Sequence, residues 1–368
     1  MNRNILDTMN SIFETLKTFV SDDDAYRIVN IDRHIRPQGD KAPVCDFVKR
    51  AKIKSFRCSM EPICLFEYNE QKYLLVPDEH SLLLSEIGFE IESDIAITQG
   101  AGMLAIANKQ LPLREDTSSL LIIEHCLGIE SDFPGETSVV FDFSTIANLF
   151  IPYCIVTLDD SRFPLVFEED LNRLVCYLLV EQTPSLEASA KSRIKSLLLM
   201  LSSRTISASI LNGIQSPLVE YTFLQFYQCI EYLFKLNNCF SISENHDLPL
   251  TKSIDIVLAY ELKMSESENL YKVLRNNASE TSIDAVISIL PQSAEENSDK
   301  FRRASNYIYK LRCSIAHLRY DQDDTSNVNW MKCTEALIEV IFSVYQKCDS
   351  NIIQVCTSKT SWKPISMQ

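Results

Sequence analysis

The chain has 368 residues, 46% of them hydrophobic and 23% charged, enough for two or three domains with their own cores, and unlike disordered, collagen-like or disulfide-stapled chains. Fifty acids against 35 bases give a net charge of −15, which excludes non-specific nucleic-acid binding by bulk charge and leaves only a local basic patch for such work. The densest apolar stretches, such as residues 197–201, stop far short of the roughly 18–20 residues that a membrane span needs.

The N-terminal MNRNILDTMNSIFETLKTF has an amphipathic helical pattern that carries acids, with no apolar signal region and no small-residue cleavage site. A cytoplasmic location without membrane partners is therefore expected. Asp22, Asp23 and Asp24 read as a solvated helix end. Residues 63–68 and 72–76 form two apolar runs around Asn69, Glu70 and Gln71, the pattern of a β-hairpin. Residues 95–98, 120–124, 138–143 and 153–158 are further strand-like runs between Gly, Pro, Asp and Ser. Gly100 and Gly102 fit a loose G-x-G-x-x-A, but Pro112 leaves little room for a crossover helix, and a β-turn explains the glycines better than a dinucleotide site. His125 and Cys126 fall in an apolar strand pattern.

From about Phe163 onward glycine nearly vanishes and helical periodicity takes over. Helices are expected over residues 168–180, 186–203, 219–236, 251–262, 266–276, 282–290, 298–319 and 329–347, with Asn212-Gly213 and Ser216-Pro217 punctuating the boundary before residue 219. The layout is α+β: a mixed α/β domain over residues 1–160, connecting helices over 161–212, an all-helical bundle over 213–350 and a tail over 351–368. The twelve cysteines are scattered without a CxxC pair, so they read as reduced core thiols rather than a zinc site. No metal and no cofactor is expected.

The sharpest chemical signal lies in the helix over 298–319. Ile308, Leu311, Ile315 and Leu318 make a narrow apolar stripe. Arg303, Asn306, Lys310 and His317 make a polar ridge almost opposite, and Arg312 falls about 80° from the stripe on a 3.6-residue turn. From Phe301 to Tyr320 there are five bases and no acid, a local positive field that suits a phosphate-bearing ligand.

Arg312-Cys313-Ser314-Ile315-Ala316-His317 fits R-x4-H and resembles the motif of the HEPN superfamily of helical RNases and toxins. The preceding YIYKL and the earlier FLQFYQCIEYLFK are similar to its Apea-like branch, and the resemblance covers residues 217–347. It implies a bundle of four or five helices, Arg312 and His317 as an active pair, and two copies meeting at a dimer interface. It also implies a role as a toxin or antiviral-defence effector that cleaves RNA. Residues 1–160 would then carry the surface for a protein or ligand trigger.

The chemistry of the pair stands apart from the family. An imidazole of ordinary pKa can take or give a proton at neutral pH, and a guanidinium offers a planar fork to phosphate oxygens as charge builds. Attack by the RNA 2′-OH then needs no metal. Glu231, at the edge of the Phe223, Phe226, Ile230 and Leu233 stripe, is placed to orient Arg312, or else to pair with Lys235 one turn on. Arg303, Asn306 and Lys310 would hold the RNA backbone. Arg312 and His317 diverge by about 140° around one helix, so a homodimer through the helical half is expected to close the site. Cys313 stands where RNase members carry Asn, Asp or His, which leaves open an alternative: an inactive HEPN adaptor that binds RNA or dimerises.

Overall fold

The computed structural model describes residues 4–28, 31–57, 62–128, 138–158, 170–183, 186–200, 204–260, 265–291, 299–316 and 328–348. Two units divide the chain, Met1–Glu168 and Glu169–Gln368. The first is mixed α/β and the second, over its described residues, is helical.

The first unit opens with helix α1 (Ile5–Lys17), where Asn4 caps the Leu6 amide and Met9, Ile12, Phe13 and Leu16 turn inward. Strand β1 (Asp32–Arg36) leads to α2 (Lys41–Arg50), capped by Asp40. Strands β2 (Lys52–Arg57), β3 (Ile63–Tyr68) and β4 (Gln71–Pro77) follow. The hairpin between β3 and β4 is present as the sequence implies, with Tyr68 opposite Gln71. Asn69 and Glu70 both take positive φ, 50° and 65°, the pair of left-handed residues that a two-residue turn needs to match strand twist. After α3 (Ser81–Glu86) and β5 (Glu90–Ile91) comes α4 (Ile95–Ala107). Helix α5 (Ser119–Ile122) runs into a π-helical turn, Ile123–Leu127. Strand β6 (Ser138–Asp142), helix α6 (Phe143–Ala147) and β7 (Tyr153–Thr157) complete the unit.

A five-stranded antiparallel sheet runs in the order β2-β3-β4-β7-β5, and β1 and β6 pair in parallel as a separate ribbon. Two strand expectations fail here. Residues 95–98 begin α4, and residues 120–124 lie in α5 and the π-helical turn that holds His125 and Cys126. Both runs are apolar without alternation, so period alone does not separate a buried strand from a buried helix. The decisive signals are caps: the Asp94 carboxylate accepts from Ala96 N, and the Ser118 hydroxyl from Leu121 N.

Gly100 and Gly102 therefore sit inside a helix, not in a turn between strands. Their value is closeness. A Cβ on Gly100 would stand 2.6 Å from the Phe47 ring, and one on Gly102 would collide with the Tyr153 hydroxyl. These contacts let α4 pack tightly on α2 and on β7.

The second unit carries α7 (Asp170–Gln182), α8 (Ala188–Met200), α9 (Arg204–Ile214), α10 (Val219–His246) and α11 (Leu250–Tyr260). It continues with α12 (Glu266–Asn277), α13 (Glu280–Ile287), α14 (Lys300–Ala316) and α15 (Trp330–Lys347). Helix α9 covers a stretch that the sequence left as a boundary, since Gly213 is accommodated within it against Phe226. Helix α10 extends ten residues beyond its expected end at Leu236 because Asn238 and Cys239 turn inward instead of stopping it. The helices over 161–212, expected as connectors, pack as α7 on α8 and α9, α9 on α10, and α8 on α15. Among the described residues ten cysteines are free, seven of them buried. No helix among those residues is long and apolar enough to cross a membrane.

Replacing Gly102 by Ala should relax up to about 1 kcal/mol of helix-propensity cost but overpack the Tyr153 contact by about 1–3 kcal/mol. The expected net result in urea unfolding is destabilisation. Tyr153→Phe in the same chain should recover part of the loss, because it removes the atom that the new methyl meets first.

Candidate functional site

Three helices of the second unit, α10, α12 and α14, pack against one another pairwise. Each contributes to one polar cluster. On α14 the residues Ile308, Leu311 and Ile315 are buried as their period implies, and Asn306 and Lys310 are exposed. Arg312 follows Ile308 by four residues and precedes Ile315 by three, so it lies on the flank of the apolar stripe. It is drawn into the interior, with only 7% of its surface exposed.

A guanidinium enters a core only with acids to meet it. Glu231 on α10 and Glu266 on α12 do so. Arg312 Nη2 donates a long hydrogen bond of 3.5 Å to Glu231 Oε1, and Glu231 is fully buried. Arg312 Nε stands 3.0 Å from Glu266 Oε1, a charge contact that lies off the line of its N–H. The same Glu266 oxygen accepts a hydrogen bond from the Tyr227 hydroxyl at 3.1 Å. Burial alone would lower the Arg312 pKa, but the carboxylates of Glu266 and Glu231 outweigh it and raise it further above the ordinary arginine value. Burial and then Glu266 hold the Tyr227 phenol well above its ordinary range.

The sequence offered Arg312 as one of two partners for Glu231, the other being Lys235, and Arg312 and Glu231 do meet. It missed Glu266 and Tyr227. Glu266 opens α12 after Ser265, with Glu268 two residues on, and acids in a first helical turn are already explained by the helix dipole. Nothing local marks Glu266 as a partner for a residue 46 positions away. His317, the other half of the expected pair, lies outside the described residues, as does Leu318.

Arg303 departs from the exposed ridge expected of it. It is half-buried, and its Nε is buried without a hydrogen-bond partner. The acid-free stretch of α14 also acquires acids in space. Arg302 binds Glu268 through Nη1 at 2.6 Å and stacks on the Tyr271 ring with its carbon 3.5 Å from the centroid. Lys300 bonds Glu280 and Asp284 at 2.9 and 3.1 Å. These bonds raise the pKa values of Arg302 and Lys300. Two of the five bases read along the chain, Arg302 and Arg312, are thus tied to acids of α12 and α10, while Lys300, one residue before that stretch, ties α14 to α13.

Cys313, at the position after the motif arginine, is half-buried beside Tyr309. Their hydrogen bond, with burial second, pushes the Tyr309 phenol up to about 12. Among the described residues no group of three or more His, Cys, Asp or Glu side chains is placed to hold a metal ion. No protein-family model, no curated protein and no solved structure matches this chain.

Removing the cation leaves the buried Glu231 carboxylate and the half-buried Glu266 carboxylate without the charge that both approach. Arg312→Ala should therefore destabilise the protein by about 3–5 kcal/mol, the usual cost of breaking a buried pair from one side. Chemical denaturation checks it, and a loss below about 1 kcal/mol, the range of exposed pairs, would mean that water screens the cluster.

Proposed function

We propose that the helical unit is a HEPN-like RNA-cleaving module in which Arg312 and His317 act without a metal. The observation that carries this reading is the fixing of the Arg312 guanidinium by Glu231 and Glu266, five residues before His317 in the R-x4-H motif. A held, permanently charged group answers developing phosphate charge without reorganising as the reaction proceeds. In this scheme the His317 imidazole takes the 2′-OH proton and the 2′-oxygen attacks the adjacent phosphorus. The P–O5′ bond breaks as the P–O2′ bond forms, and the 5′-oxygen takes a proton from water, giving a 2′,3′-cyclic phosphate and a 5′-hydroxyl end. Asn306 and Lys310, both exposed on α14, would hold the flanking backbone.

The expected arrangement is a homodimer through the helical unit, where a two-fold axis beside α14 would place two motif pairs around one groove. A role in toxicity or antiviral defence follows from the resemblance, with the first unit receiving the trigger.

The same network also favours a second reading. Arg312 is almost wholly buried and two carboxylates already meet its charge. With Cys313 after the arginine, these features suit an adaptor that binds RNA or dimerises without cutting.

Incubation of the purified protein with total RNA in EDTA separates the two. The RNase reading expects cyclic-phosphate products and a loss of about 10²–10⁴ in rate for His317→Ala. Binding without cleavage selects the adaptor, and equal cleavage by both proteins refutes the assigned role of His317. Reversing one ridge charge, Lys310→Glu, should weaken RNA binding and lower the slope of log affinity against log salt by about 1. An unchanged slope would mean that the ridge does not face RNA.

A further inference from the structure

Two carboxylates approach Arg312, and they are not equivalent. Glu266 Oε1 lies 3.0 Å from Nε as a close charge contact off the line of the N–H, whereas Glu231 Oε1 accepts a hydrogen bond from Nη2 that is long, at 3.5 Å. Glu266 also has a brace of its own, because its Oε1 accepts the Tyr227 hydroxyl at 3.1 Å. Tyr227 is among the largest fully buried side chains of the protein, and its ring packs edge-on against Phe234 with centroids 6.4 Å apart. A phenol locked in a core leaves its bonded carboxylate few alternative rotamers. Glu266 further opens α12, where the helix dipole favours a negative side chain.

We infer that Glu266, braced by Tyr227, is the principal positioning residue for Arg312, with Glu231 second to it. The relay runs Tyr227, Glu266, Arg312 and crosses from α10 to α12 to α14, so each helix fixes the group on the next. Glu231 shares α10 with Tyr227, four residues on, and so faces the same cluster. Its role is to complete the charge balance around Nη2. This inference rests on the proposed reading only in making Arg312 the functional cation. The positioning itself is a property of the folded chain.

The test uses the full-length protein and the NMR signal of the Arg312 Nε–Hε group, assigned by its loss in Arg312→Lys. Glu266→Gln should speed solvent exchange of that buried proton by about tenfold or more, because the guanidinium loses the nearest charge that seats it. Tyr227→Phe, which keeps the ring and the packing, should have an intermediate effect, and Glu231→Gln the smallest. Exchange accelerated as much by Glu231→Gln as by Glu266→Gln overturns the ranking, and so does an unchanged rate in Glu266→Gln.

RNA turnover by the same folded variants gives the second readout. If Glu266 positions Arg312 for the reaction, Glu266→Gln lowers kcat with KM nearly unchanged, as expected for an interaction strengthened in the transition state. Wild-type kcat in Glu266→Gln overturns that part of the inference. A wild-type protein that cleaves no RNA refutes the proposed function instead, and the exchange ranking still decides whether Glu266 holds Arg312.

Discussion

A buried guanidinium sets the geometry of the helical unit. Arg312 cannot shed its proton at any accessible pH, so its place on the flank of the α14 stripe obliges other elements to bring acids to it. Glu231 and Glu266 lie 35 residues apart on different helices, and both must arrive within 3.5 Å of one side chain. That requirement ties α10, α12 and α14 together more specifically than their apolar faces could. Leu, Ile and Phe contacts tolerate small slips along a helix axis, but a charge without its partner in the core costs several kcal/mol.

The same logic extends along α14. Read in sequence, the helix is a block of bases. In space Arg302 belongs to Glu268 and Tyr271, Lys300 to Glu280 and Asp284, and Arg312 to Glu231 and Glu266. Lys310 stays exposed on the outer face and Arg303 is half-sunk. Any polyanion that approaches this surface meets fewer cations than the sequence advertises, and specificity would have to come from a few placed groups rather than a broad field. On the proposed reading Arg312 is such a group, held by Glu231 and Glu266 in one direction.

Local patterns in the chain were a good guide wherever the physics is local. The β3–β4 hairpin was legible from two apolar runs around Asn69 and Glu70, and most helices of the second unit from a 3.6-residue period. Uniformly apolar stretches misled, because the middle of α4 is buried from Gln99 to Ile106 and shows no polar face to give its period away. Gly213 and Asn238 resemble breakers but are absorbed inside α9 and α10 by tertiary packing, which routinely overrides propensity. At the candidate site the Arg312–Glu231 meeting was one of two pairings that the helical faces allowed, beside Glu231 with Lys235. Glu266 was not, since its pairing with Arg312 and Tyr227 exists only after three helices have packed, and its position at a helix start already had a sufficient explanation.

The strongest single test of Arg312 as a functional group rather than a packing device is Arg312→Lys. Lysine keeps a cation between Glu231 and Glu266, so near-UV circular dichroism should report an intact fold, yet it offers a point charge in place of a directed planar fork. The account predicts a folded protein whose metal-free RNA cleavage is slowed by about 10²–10³, the loss typical of a transition-state donor. A folded Arg312→Lys protein that cleaves RNA at the wild-type rate would contradict it.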